Sequence, residues 1–172
     1  MSAMERMQAS ARQDICRSVR GFTLLELLVV MAILGVLAAA ILPLGEALVT
    51  ASKERELRRS LWEIRAAIDD YKRQVDRGVI AAGATDSGYP PSLQALTAGV
   101  NDARSTGAPR QLYYLRQIPR DPFADPSLPA EQTWQLRSYA SPPDKPAPGS
   151  DVFDVRSSSD ALALDGTAYA SW

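Results

Sequence analysis

From Phe22 to Leu44 the only side chains that are not apolar are Thr23 and Glu26, and from Leu27 to Leu42 the apolar run is unbroken. At about 1.5 Å rise per residue, a helix of this length crosses the hydrocarbon core of a bilayer, about 30 Å thick. A secretory signal peptide reads differently: its apolar part is shorter, about 7–15 residues, and ends in a small-residue cleavage site. Arg6, Arg12, Arg17 and Arg20 precede the run, and Glu46 is the first charge after it. This asymmetry predicts a single-pass helix with its N-terminal flank in the cytoplasm and residues 46–172 on the far side. Within the run, Glu26 stands out. A carboxylate at the bilayer centre costs about 2.5–3.5 kcal/mol or more, so its presence points to a role.

The segment Arg20-Gly21-Phe22-Thr23-Leu24-Leu25-Glu26 resembles the processing site of the type IV pilin and pseudopilin superfamily. The resemblance implies that residues 1–21 are a leader and that a membrane prepilin peptidase cuts between Gly21 and Phe22. The same peptidase then methylates the new amine of Phe22. It also implies that residues 22–45 form a transmembrane helix that becomes the core of a fibre, and that residues 46–172 form a periplasmic α+β domain. Glu26 would neutralise the Phe22 amine, in its own chain or in a neighbouring subunit, because a desolvated charge is tolerated when it is paired. The other reading of Glu26 is a carboxylate that snorkels to the interface at the start of a membrane helix.

Composition narrows the chemistry. The chain has no histidine, and Cys16, its single cysteine, falls in the expected leader. The commonest general base and the usual zinc ligands, histidine and cysteine, are therefore missing from residues 22–172, and no internal disulfide can form there. The formal net charge of -1 gives no basic surface for nucleic acid. A membrane-tethered enzyme is the rival from another class; the lack of a nucleophile motif argues against it, and the chain is expected not to be an enzyme.

Beyond Gly45 the helical pattern continues but becomes amphipathic. Leu57, Leu61, Ile64, Ile68, Tyr71 and Val75 alternate at spacings of four and three, the stripe of a helix packed on a domain. Pro43 is an expected weak point. Glu54 and Arg58, and Asp69 and Arg73, stand at the spacing of exposed helical ion pairs. Gly78 is an expected C-cap, and the helix is predicted from about Phe22 to Arg77. Ser92 is a candidate cap for a short helix through Ala98. Leu112 to Leu115 reads as a strand start or packed corner. Trp134 to Tyr139 and Val152 to Val155 read as strands, separated by the proline-rich loop Ser141 to Gly149. The scattered aromatics Trp62, Trp134, Tyr113, Tyr114 and Trp172 read as core or partial core. Asp121, beside Pro122, reads as a turn former. The class predicted is α+β: a long N-terminal helix, half membrane and half amphipathic, packed on a small antiparallel sheet, in the manner of pilins.

Downstream patches refine the resemblance. Gly88-Tyr89-Pro90-Pro91-Ser92-Leu93-Gln94-Ala95-Leu96 and Ile118-Pro119-Arg120-Asp121-Pro122-Phe123 resemble segments of the major pseudopilin of type II secretion, and the ending Val152 to Trp172 is similar to that of related pseudopilin-like proteins. The resemblance implies a structural subunit of a type II secretion pseudopilus that drives protein export across the outer membrane. It implies four kinds of partner: copies of itself, minor pseudopilins, the prepilin peptidase and the inner-membrane assembly platform. The alternative within the superfamily is a type IV pilin of an external fibre for adhesion, motility or DNA uptake. The same resemblance implies calcium at the C-terminal loop. Asp160 and Asp165 are the candidate ligands, with Ser157 and Ser159 beside them, a hard-oxygen set in a short span. Leu162 to Leu164 separate the two aspartates, where the family's usual form is S-x-G-A-D-G-x-x-G-G. The alternative is a polar turn in which both aspartates bond nearby amides.

Overall fold

The computed structural model describes residues 21–81, 85–108 and 110–172. Of the leader expected at residues 1–21, residues 1–20, with Cys16 and the four arginines, lie outside the described residues. The chain divides at Pro43 and Leu44 into two compact units.

Helix α1 spans Leu24–Asp76. The weak point expected at Pro43 does not end it. Its first turn begins at Thr23, whose Oγ1 accepts the amide of Glu26 at 3.1 Å while its carbonyl accepts Leu27 N at 3.1 Å. Its last turn closes at Gly78, with φ of 69°. There Gly78 N donates to Val75 O at 2.8 Å, and Val79 N donates to Gln74 O at 2.9 Å. These bonds satisfy carbonyls that the helix end would otherwise leave free.

In the unit that runs from Leu44, the predicted stripe forms the core. Leu57, Leu61, Ile64, Ile68 and Tyr71 are buried against Leu93, Leu96, Leu115, Trp134, Val152, Val155 and Tyr169. The four strands are short and do not form a single sheet. β1 (Val100–Asn101) pairs antiparallel with β2 (Gln111–Leu112), and β3 (Trp134–Arg137) pairs antiparallel with β4 (Asp154–Ser157). In the second pair Trp134 faces Ser157 and Arg137 faces Asp154. The two pairs are separate two-stranded sheets.

Several local expectations shift. α2 spans Gln94–Ala98, but Ser92 does not cap it through its side chain; the Ser92 carbonyl accepts Ala95 N instead. β4 starts two residues later than expected, because Val152 N is used by Pro90 O at 2.8 Å. β3 stops at Arg137 because Ser138 N turns to Ala147 O at 3.0 Å, which fastens the proline-rich loop. Asp69 does not pair with Arg73; Asp70 does, at the three-residue spacing. Trp134 is in the core, as expected, whereas Trp62 is 73% exposed and Tyr113 is 62% exposed.

The patches that carried the family resemblance have structural work to do. Gly88 has φ of 76°, and a Cβ there would stand 3.3 Å from both Lys72 Nζ and Val75 Cγ1, so glycine lets the Gly-Tyr-Pro segment run tight under the helix. Tyr89 then packs edge-on to Phe153 at 5.0 Å. Asp121, 1% exposed, accepts Phe123 N at 2.8 Å and the Ser157 hydroxyl, which ties the Pro-Arg-Asp-Pro-Phe turn to the end of β4. Trp134 Nε1 completes the junction by donating to Pro119 O at 2.8 Å.

Candidate functional site

Two regions carry the expected site residues. The first is the start of α1. Gly21 and Phe22 precede the helix, and Phe22 is 80% exposed. Thr23 and Glu26 occupy the first and fourth positions of a capping box, a T-x-x-E pattern in which the hydroxyl satisfies an amide the helix cannot. That pattern was readable in the sequence from spacing alone. The capping bond places Glu26 in the first helical turn, where the positive end of the helix dipole favours a carboxylate. It also sets Glu26 one turn from Phe22, as a pairing role for the carboxylate requires.

The apolar side chains that follow have no cover from the other described residues. Those described between Phe22 and Leu44 are all exposed, and among the large ones Val30 is the least so at 44%. Among the described residues this is the single helix long and apolar enough to cross a membrane. An uncovered apolar surface of that length needs a bilayer or a set of similar helices around it.

The second region is the C-terminal loop, and it does not gather the four expected calcium ligands. Ser157 is fully buried, with its hydroxyl on Asp121. Ser159 Oγ accepts Ala161 N at 3.3 Å. Asp165 Oδ1 accepts both the amide and the hydroxyl of Thr167, at 2.9 and 2.6 Å, and these bonds hold its carboxyl below the usual carboxylate range. The other oxygen of Asp165 lies 3.9 Å from an Arg58 nitrogen. Calcium takes about 6–8 oxygen ligands. Here one serine faces the core and one aspartate is occupied by a turn and faced by a guanidinium. Among the described residues no three acidic, cysteine or histidine side chains stand close enough to share an ion. The expected four-residue set is not assembled, because Ser157 and Asp165 are committed to Asp121 and Thr167. For Asp165 the structure has the turn that the sequence offered as the alternative.

Sequence reasoning missed the contacts that hold this loop. Glu54 was expected to pair with Arg58 on the surface. It turns inward instead, is 8% exposed, and accepts Leu164 N at 2.8 Å and the Tyr169 hydroxyl at 3.1 Å. Arg58 stacks over the Trp172 ring at 4.2 Å. Arg65 reaches Asp154 Oδ1 at 2.8 Å, Val155 O at 2.9 Å and the Trp172 main-chain oxygen at 2.8 Å. Beside these arginines, Leu61, Trp62, Ala66, Asp69 and Trp172 line an open groove of about 440 Å³.

Comparison with known proteins agrees with the N-terminal geometry. Residues 16–42 match the family described as the prokaryotic N-terminal methylation motif. The chain is 32% identical over 112 residues to type II secretion system core protein G of Aeromonas hydrophila, covering 62% of this chain and 68% of that one. It is 31% identical over 113 residues to the protein of the same name from Pseudomonas aeruginosa, covering 64% and 72%. The Klebsiella pneumoniae protein of that name is 32% identical over 107 residues, covering 60% and 69%. No solved structure matches. All three relatives carry a type II secretion name, so the external-pilus alternative is not favoured. With the methylation motif at its N-terminus and this identity across most of its relatives' length, the chain belongs to the family of type II secretion system core protein G.

Proposed function

We propose that this chain is a structural, non-catalytic pseudopilin of a type II secretion system. It is made as a precursor, cut between Gly21 and Phe22, methylated on the Phe22 amine, and assembled into a periplasmic pseudopilus. The observation that carries the reading is the capped, apolar and uncovered start of α1, which coincides with the methylation motif in a chain related to core protein G. In the precursor, residues 22–45 cross the inner membrane, with the N-terminus in the cytoplasm and residues 46–172 in the periplasm. In the fibre, the same helix packs against its copies, and the lipid around it is exchanged for other apolar helices.

Glu26 gives that exchange its register. Cleavage creates an ammonium at Phe22 beside a run of apolar side chains. A carboxylate one turn away neutralises it, so the buried end of the helix carries no net charge. Partners on this reading are other copies, minor pseudopilins, the prepilin peptidase and the inner-membrane assembly platform. The domain beyond the membrane gives the fibre its surface.

The test is deletion of the gene, with the secreted proteome and surface fibres followed together. The expected result is loss of exported proteins with surface pili intact. Loss of pili or of twitching with secretion unchanged would overturn the secretion reading and leave the Gly21–Phe22 processing argument standing.

A further inference from the structure

The C-terminal segment from Asp160 to Trp172 closes on itself by local bonds, among them Tyr169 N to Ala161 O at 3.1 Å and Thr167 N to Asp165 Oδ1 at 2.9 Å. Ala163 N donates to Thr167 O at 2.8 Å, Gly166 N donates to Ala163 O at 2.9 Å, and Gly166 takes φ of 83°. Such a loop carries carboxylates and exposed leucines and has little apolar burial of its own beyond Ala163 and Tyr169. Something has to hold it on the domain. A divalent cation would do so by collecting carboxylate and carbonyl oxygens from the loop.

In this chain the helix supplies the opposite arrangement. Glu54 brings a carboxylate into the loop, and the loop answers with donors, Leu164 N and the Tyr169 hydroxyl. Arg58 brings a cation to a loop carboxylate, Asp165, and covers the Trp172 ring. Arg65 collects oxygens from Asp154, Val155 and Trp172 with a planar fork of donors. Residues 54, 58 and 65 recur at helical spacing, so the three side chains share one edge of α1 beside the buried stripe. A divalent cation at Asp165 would meet the Arg58 charge about 4 Å away, a repulsive contact.

We propose that Glu54, Arg58 and Arg65 form an intramolecular clamp that takes the place of a metal ion, so that the C-terminal loop of this protein is fastened independently of calcium. The clamp does not depend on which fibre the chain builds. It concerns how the loop is held, whether or not the secretion reading stands.

Two measurements on the full chain in detergent micelles test it. The first is thermal melting by circular dichroism in saturating calcium and in chelator. A cation bound to the folded form alone would raise the midpoint by mass action. The expected result is the same midpoint in both. A midpoint that rises with calcium overturns the proposal. The second is amide hydrogen exchange over residues 160–172 in Arg58→Ala and Glu54→Gln. Arg58 is exposed enough that its variant folds even where the Glu54 variant does not. Loss of the Glu54 hydrogen bonds, or of the Arg58 contacts with Asp165 and Trp172, speeds local opening, so exchange over this segment should rise about three- to tenfold while the amides of Ile64 to Tyr71 keep their protection. Exchange unchanged from wild type in Arg58→Ala would overturn the clamp, as would recovery of protection when calcium is added to either variant.

Discussion

The hydroxyl of Tyr169 donates to Glu54 Oε1 at 3.1 Å across a sequence separation of 115 residues, and both groups are buried. A carboxylate taken out of water needs donors, and this one has two from the same segment, the second being Leu164 N. The Tyr169 phenol is pushed above its ordinary range by burial first and by Glu54 second. Glu54→Ala leaves Leu164 N and Tyr169 Oη without their acceptor, so it should cost about 2–3 kcal/mol in a denaturant melt. A change within about 0.5 kcal/mol would show that the bond contributes nothing net.

Asp151 contributes to the acid limit of the domain. It is 5% exposed and accepts the Ser138 hydroxyl at 2.8 Å, Tyr139 N at 2.9 Å and the Ser87 hydroxyl. Burial alone would raise its pKa, but the bonds from Ser87, Tyr139 and Ser138 outweigh it and hold the carboxyl below 3.8. A carboxylate depressed in the folded state contributes stability that is present above its unfolded value. That stability is lost as pH falls through the folded value. Unfolding free energy should therefore decline below about pH 4. Asp151→Asn should flatten part of that decline and lower stability near neutrality by about 1–2 kcal/mol, since an amide cannot accept all three donors. Melts across pH 2–7 check both statements.

The alkaline side belongs to tyrosine. Tyr114, packed edge-on against Tyr71 at 5.6 Å, is pushed from 10.0 up to about 12, mainly by burial. Its hydroxyl finds no hydrogen-bond partner among the described residues. A phenol raised in the folded state stabilises fully below its unfolded pKa, and that contribution is lost as pH rises through the folded value. Stability should therefore fall between about pH 10 and 12. Tyr114→Phe removes a buried hydroxyl with nothing to bond, so it should leave stability at pH 7 unchanged or slightly raised and blunt the alkaline loss. A drop of more than about 1 kcal/mol at neutral pH would contradict this account of the site.

Much of this was legible in the sequence, and the rest was hidden for physical reasons. The stripe Leu57, Leu61, Ile64, Ile68 and Tyr71 is local and periodic, so spacing placed it in the core without tertiary information. Gly78 was readable because a helix end needs a residue that tolerates positive φ. Glu54 misled because a carboxylate four residues before an arginine reads as a surface pair, and its actual donors come from Leu164 and Tyr169 at the far end of the chain. Strands β1 and β2 are two residues each, too short for any alternation to be seen. Helical turns at Ala130–Thr133 and Tyr169–Ser171 went unseen for the same reason. The aspartates of the C-terminal loop have the right chemistry for calcium, and only the bonds from Thr167 and the approach of Arg58 reveal how Asp165 is used.

The start of α1 separates three roles that one short segment has to serve. Gly21 lies outside the helix with no heavy atom of the described residues near where a Cβ would stand, so Gly21→Ala meets no steric conflict among them. An uncut precursor in that variant would therefore report on the peptidase's own requirement, and that is the expected result on a mobility-shift blot. Thr23 caps the helix through its hydroxyl, a contact worth about 1 kcal/mol. Thr23→Ser should keep both cleavage and assembly, because serine offers the same acceptor. Glu26 is exposed in the single chain and bonds to Thr23 only through its amide, so its carboxylate is free to act in trans. Glu26→Ala should be cut at the wild-type rate yet yield few fibres, and Glu26→Asp should recover part of the loss. Normal fibres from Glu26→Ala would end the idea that this carboxylate neutralises the Phe22 amine. Loss of cleavage in the same variant would move Glu26 from assembly to recognition by the peptidase.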